Sequence, residues 1–112
     1  MSIQMLFGCI AVLFVMLLVF ESVAYWHARN VYDEAAVEGA RVAAAHDGDC
    51  TRGIAAATAM IRSHAGRWGS QAVVTCSSAA MVSVTVEGYT PGVLGEPLGL
   101  HVRVVESAPK EQ

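Results

Sequence analysis

No cluster of lysine or arginine occurs anywhere in the 112 residues, and seven basic against ten acidic side chains give a formal net charge of −3. That absence removes the electrostatic footprint of a nucleic-acid-binding protein, and equally a polybasic patch for anionic lipid. Catalytic signatures are missing as well: there is no Gly-x-Ser-x-Gly elbow and no phosphate-binding glycine loop. Four histidines (His27, His46, His64 and His101) are scattered along the chain. The one dense polar group, His46-Asp47-Gly48-Asp49-Cys50, has neither the spacing of a zinc framework nor the length of a calcium loop, and reads as a helix-ending loop. Trp68, within Gly66-Arg67-Trp68-Gly69, reads as a core or interface aromatic rather than a ligand platform. No enzymatic activity, metal or cofactor is expected, and no internal repeat is visible.

Charge is also absent from Met5 to Phe20, where only Gly8, Cys9 and Ala11 interrupt large apolar side chains. Ile3 to Phe20, with the small residues after Glu21, supplies roughly the 20 residues that a bilayer span requires. Residues 1–24 are therefore expected to form a transmembrane anchor in contact with membrane lipid, with Glu21, Tyr25 and Trp26 at its boundary. Ser22 and Ala24 mimic a signal-peptide cleavage site, but Met1 to Gln4 lack the basic n-region, so a retained anchor is expected. Arg29 and Arg41 beyond the span slightly favour a cytoplasmic C-terminal part by the positive-inside rule. The cysteines argue the other way. Cys9 lies inside the apolar run, whereas Cys50 and Cys76 fall in the polar part, where a disulfide would staple a domain too small to rely on its core. The alternative reading is two unpaired thiols in a cytoplasmic domain, since spacing alone does not establish proximity.

Beyond the anchor the expected fold class is α+β. From Ser22 to Ala45 the chain is alanine-rich and free of proline, so the apolar helix is expected to continue as a projecting amphipathic helix over 25–45. Tyr25, Ala28, Tyr32, Ala35, Gly39 and Val42 recur at helical spacing on one stripe, and His27, Asn30, Glu34, Glu38 and Arg41 on another side. Continuous from Ile3 to Ala45, this helix would measure about 65 Å. Residues 46–107 are expected to form a small domain. Thr51 to Ala65 reads as a second helix, with Ile54, Ala57, Ile61 and Ala65 on one face and Gly66 as its stop. Strands are expected at Gln71–Cys76, Met81–Glu87 and Leu98–Glu106, the last two joined by a Pro/Gly-rich connection from Thr90 to Pro97. Three strands after two helices favour an antiparallel sheet packed on helix. Residues 108–112 are expected to be a flexible tail.

Phe20-Glu21-Ser22-Val23-Ala24-Tyr25-Trp26-His27-Ala28-Arg29-Asn30, followed by Ala35-Ala36-Val37-Glu38-Gly39-Ala40-Arg41-Val42-Ala43-Ala44, resembles the TadE-like proteins, pseudopilins of the tight-adherence (Flp) type IV pilus system. The Glu-Gly-Ala-Arg step within an alanine-rich helix is the most specific part, and the resemblance covers most of the chain. The chain departs from the type IV prepilin leader. Gly8 is followed by Cys9-Ile10-Ala11-Val12-Leu13 without an acid, and no basic residue precedes it. The resemblance implies a pilin-like architecture in the bacterial cytoplasmic membrane, single-pass, with the C-terminal domain extracytoplasmic and a possible place in a surface filament. It implies pilus or pseudopilin subunits and membrane assembly proteins as partners. Small residues allow helices to approach closely, so Ala28, Tyr32, Ala35, Gly39 and Ala43 are the candidate helix-packing interface. The competing reading is a membrane-anchored accessory or sensor module that binds a partner through its C-terminal sheet and the 90–97 loop.

Overall fold

The computed structural model describes residues 2–90 and 101–111. Helix α1 runs unbroken over Ile3–Ala44, 42 residues, with the Ser2 hydroxyl accepting from the Met5 amide at its start. Alanine-rich sequence without proline keeps the second half helical, as expected. The first half is long and apolar enough to cross a membrane, and among the described residues nothing covers it. The molecule measures 71 × 21 × 17 Å, and α1 accounts for most of the long dimension.

Past Ala45 the chain turns, and the Gly48 amide donates to the Ala45 carbonyl at 2.9 Å. Asp49 then caps α2 (Cys50–Ala65), its Oδ1 accepting from the Arg52 amide at 2.8 Å. The Asp-Gly-Asp loop is thus a helix N-cap, which satisfies one of the orphan amides of the first turn. At Gly66 the α-helix stops and the chain tightens into a 3-10 turn, Gly66–Gln71. Strands β1 (Val73–Ser78), β2 (Met81–Tyr89) and β3 (His101–Pro109) form one antiparallel sheet in the order β1-β2-β3. The architecture is α+β: a long N-terminal apolar helix, a second helix and a three-stranded sheet. The first strand lies two residues later than expected. Of the connection expected from Thr90 to Pro97 only Thr90 is described; residues 91–97, and the start of the last strand at Leu98 and Leu100, lie outside the described residues.

The alternation in β2 sends Val82, Val84 and Val86 onto the helical layer, where each is fully buried. Val102 and Val104 do the same from β3, and Val74 and Cys76 partly so from β1. Each fully buried valine contributes roughly 1.5–3 kcal/mol of apolar burial. The facing surface is the second half of α1, through Ala28, Val31, Tyr32, Ala35, Ala36 and Ala40. Residues 25–45, expected to project beside a domain at 46–107, are therefore the spine of that domain's core. One short helix and three strands cannot bury both faces of their own apolar pattern, so the long helix completes the layer.

The expected flexible tail is corrected too. Strand β3 continues through Ser107 and Ala108 to Pro109, with Val82 opposite Ala108 and Met81 opposite Pro109. Beyond it the Lys110 ammonium donates to the carbonyls of Ala43 (3.0 Å), Ala45 (2.7 Å) and Gly48 (2.8 Å), and the Glu111 amide donates to Ala44 O at 2.8 Å. The carbonyls of Ala43, Ala44 and Ala45 are among those that the end of α1 leaves without intrahelical partners, Gly48 lying in the loop beyond, and a cation is favourable at the negative end of the helix dipole.

Candidate functional surfaces

Helix α1 carries two surfaces of opposite kind. From Ile3 to Phe20 every residue is exposed, and the side chains are almost all apolar. From Ala28 onward one face is closed off. The candidate packing residues Ala28, Tyr32, Ala35, Gly39 and Ala43 are all buried, but inside their own chain. Alanine and glycine there let α2 and the sheet approach α1. An ideal Cβ on Gly39 would lie 3.0 Å from the Gly53 carbonyl oxygen and 3.1 Å from Ala57 Cβ. Ala43 and Ala44 meet Val82 at the far end. The stripe is a packing surface, as expected of small residues, but it is not free to receive a partner helix. The periodicity identifies a buried face; it carries no information about what covers it.

The boundary residues sit where the apolar surface ends. Glu21 and Tyr25 are partly buried, Trp26 is 63% exposed, and with Leu18 and Ser22 they line a shallow groove on α1. The Arg29 guanidinium reaches the Tyr25 hydroxyl at 3.4 Å. Tyr25 also packs against the domain core, so the domain begins at the very end of the apolar segment, with no linker.

Cys50 and Cys76 are joined as a disulfide that ties the first residue of α2 to the fourth of β1, with Cα atoms 5.6 Å apart. Cys50 was expected in a loop; the Asp49 cap brings it into the helix. Cys9 stays a free thiol, exposed in the apolar segment. The loop histidine His46 gains no metal-like company: among the described residues no three His, Cys, Asp or Glu side chains converge.

Two arrangements were not legible in the sequence. Tyr32, fully buried, donates its hydroxyl to the Tyr89 carbonyl at 2.8 Å and meets Trp68 edge-on at 5.5 Å. Burial pushes its hydroxyl up to about 12, so it remains a neutral donor. Gly88 is the residue that makes room, since a Cβ there would lie 2.5 Å from the Tyr32 oxygen. Second, Glu106 on β3 meets Asp33 on α1. Their shared hydrogen bond, then partial burial and the neighbouring negative charge, hold the Glu106 carboxyl above the usual carboxylate range. A carboxyl raised in the folded state stabilises fully below its unfolded value, and that contribution fades as pH rises through the folded one. Glu106→Gln, which donates to Asp33 at every pH, is therefore expected to raise stability at neutral pH. The gain should be roughly a few tenths of a kcal/mol, because the pair is largely solvent-exposed. It should vanish near about pH 4. Denaturation midpoints at the two pH values check this, and an equal gain at both would remove the carboxyl pair as its cause.

Among the described residues nothing covers the outer face of the sheet. Val73, Met81, Tyr89 and Val105 are each about half exposed there, between Thr75, Ser83, Thr85 and Ser107. Ser83 and Ser107 are hydrogen-bonded across the strands at 2.9 Å. At one end Glu87 pairs with Arg103 at 2.9 Å. No protein-family model, curated protein or solved structure matches this chain.

Proposed function

We propose that this chain is a non-enzymatic structural or assembly subunit, a minor pilin or pseudopilin of a Tad/Flp-type pilus or a related secretion apparatus. It is held in the bacterial cytoplasmic membrane by α1, with its domain outside. The observation that carries the reading is the single helix that is a bare apolar rod for its first half and the spine of a folded domain for its second. Such a rod needs lipid or other apolar helices around it, and it transmits their arrangement to the domain without a flexible joint. The Ala35–Ala44 block, with its resemblance to TadE-like proteins, supports the same reading. The Cys50–Cys76 disulfide supports an oxidising, extracytoplasmic compartment. Contacts between subunits then run through the exposed apolar rod and the outer faces of the domain, since the small-residue stripe is already occupied.

A second reading has its own observation. The uncovered outer sheet face suits a membrane-anchored accessory or sensor module that binds its partner there. Intact-mass spectrometry of the native chain, from sheared surface filaments and separately from membranes, separates the two. The pilin-like reading expects the chain in the sheared fraction, lighter than the reduced mass by two hydrogens. A chain confined to membranes with reduced cysteines would sink it.

A further inference from the structure

We infer that the base of the domain is itself a membrane-contacting surface, seated in the phospholipid headgroup layer through Trp68 and Tyr89. This rests on the reading of α1 as a membrane anchor. The chain has two tryptophans and three tyrosines in all. Tyr25 and Trp26 follow the apolar segment directly. Tyr32 lies further along the same helix, whereas Trp68 and Tyr89 are remote in sequence, yet the fold brings both beside the His27–Tyr32 stretch of α1. Trp68 meets His27 edge-on at 6.2 Å and Tyr32 at 5.5 Å. The Tyr32 hydroxyl reaches the Tyr89 carbonyl, and the Tyr89 ring stacks edge-on with His101 at 5.4 Å. Strand β2 ends at this base and β3 starts from it. At the opposite end lie Met81, Pro109 and the Lys110 cap of α1.

Helix geometry sets the height of this base. A hydrocarbon core takes roughly 20 helical residues, so from Ile3 it ends near Ser22. Some 5–7 Å of headgroup layer follows, about four or five residues of helix at 1.5 Å each, which reaches His27. Trp68 is the side chain that packs on His27, and it is only partly buried. Tyr89 is 49% exposed. One continuous helix carries both the span and the domain core, so the domain has no linker with which to stand clear of the lipid. Tryptophan and tyrosine are the side chains that favour this depth, with an apolar ring and a polar edge. No basic cluster accompanies them, so the surface fits zwitterionic phospholipid and needs no anionic lipid.

The test uses the full chain carrying Trp26→Phe, a change at an exposed position, in phosphatidylcholine vesicles. Trp68 is then the only tryptophan. Nitroxide on the lipid headgroup is expected to cause about a twofold loss of its emission, and nitroxide deep in the acyl chain little. A chain that resists alkaline extraction but shows no headgroup quenching overturns the inference and leaves the anchor standing. A chain that washes off the vesicles overturns both. A second chain, Trp26→Phe with Trp68→Phe and Met81→Trp, places the reporter at the far end of the domain. Its emission is expected to be unaffected by the headgroup label. Equal quenching there would mean that the domain lies flat or is unfolded on the lipid, which also overturns the inference.

Discussion

Gly53→Val is expected to remove most of the stability of the domain. Gly53 lies in α2 where it crosses α1, and an ideal Cβ on it would sit 2.7 Å from Ala43 Cβ and 2.7 Å from the Gly39 carbonyl oxygen. One of those neighbours is helix backbone and the other a methyl fixed directly to it, so no flexible side chain can swing aside. Nor can α1 draw away freely, because the same face of α1 also packs on the sheet, where a Cβ on Gly39 would lie 3.3 Å from Val84 Cγ1, so retreat from α2 would open that contact as well. Valine adds three carbons into this contact. Overpacking a tight core costs about 1–3 kcal/mol, and a clash against backbone belongs at or above the upper end. A domain of this size holds on the order of 5 kcal/mol in total. Ala55→Val, at an exposed position of the same helix, is the control and should cost only the β-branched helix penalty of about 0.5 kcal/mol. Urea denaturation in detergent micelles, followed by tryptophan emission, reads both. Equal midpoints for the two variants would show that the helices do not cross this closely.

The second large effect is that of the disulfide. Replacing Cys50 and Cys76 together by alanine is expected to cost about 3.5 kcal/mol, the chain-entropy value for a loop of this length, the partners standing 26 positions apart in sequence. The bridge closes α2 onto β1, an edge strand whose inward side chains are only partly buried and which therefore depends on the link more than β2 does. Reductant should lower the wild-type midpoint by a similar amount and leave the double variant unmoved. Thiol labelling of the denatured chain offers an independent reading: Cys9 alone should react before reduction, and all three cysteines after it. A reductant effect of equal size in both proteins would assign the loss to something other than this bond. Gly53 lies three residues from Cys50 on the same helix, close enough for the two changes to couple, so their costs are not expected to add.

Substitution of Gly39 or Ala43 would be an attractive way to test partner-helix packing if the stripe were read from sequence alone. Both residues are buried against α2 and the sheet, so bulky side chains there would damage the domain before they reached any partner. Exposed positions such as Val37 are the ones to vary.

The sequence by itself determined the elements whose signal lies along the chain. An uncharged run of the right length makes a candidate membrane span. Alanine without proline makes a continuous helix, alternation of Val82, Val84 and Val86 makes a strand, and two cysteines beyond the span make a candidate pair. These are properties of neighbours a few residues apart, set by helix and strand periods and by chain entropy. Only the tertiary structure decided what covers each apolar face. It turned the Ala28–Ala43 stripe inward onto the chain's own sheet, carried β3 past Glu106, and set the Lys110 ammonium on carbonyls more than 60 residues upstream. It also brought Trp68 against His27 and the Tyr89 carbonyl onto the Tyr32 hydroxyl. The physical reason is the same in each case. A periodic pattern records that a side chain leaves water, whereas the identity of its neighbour depends on distances between segments far apart in sequence, which close only when α1, α2 and the sheet pack together.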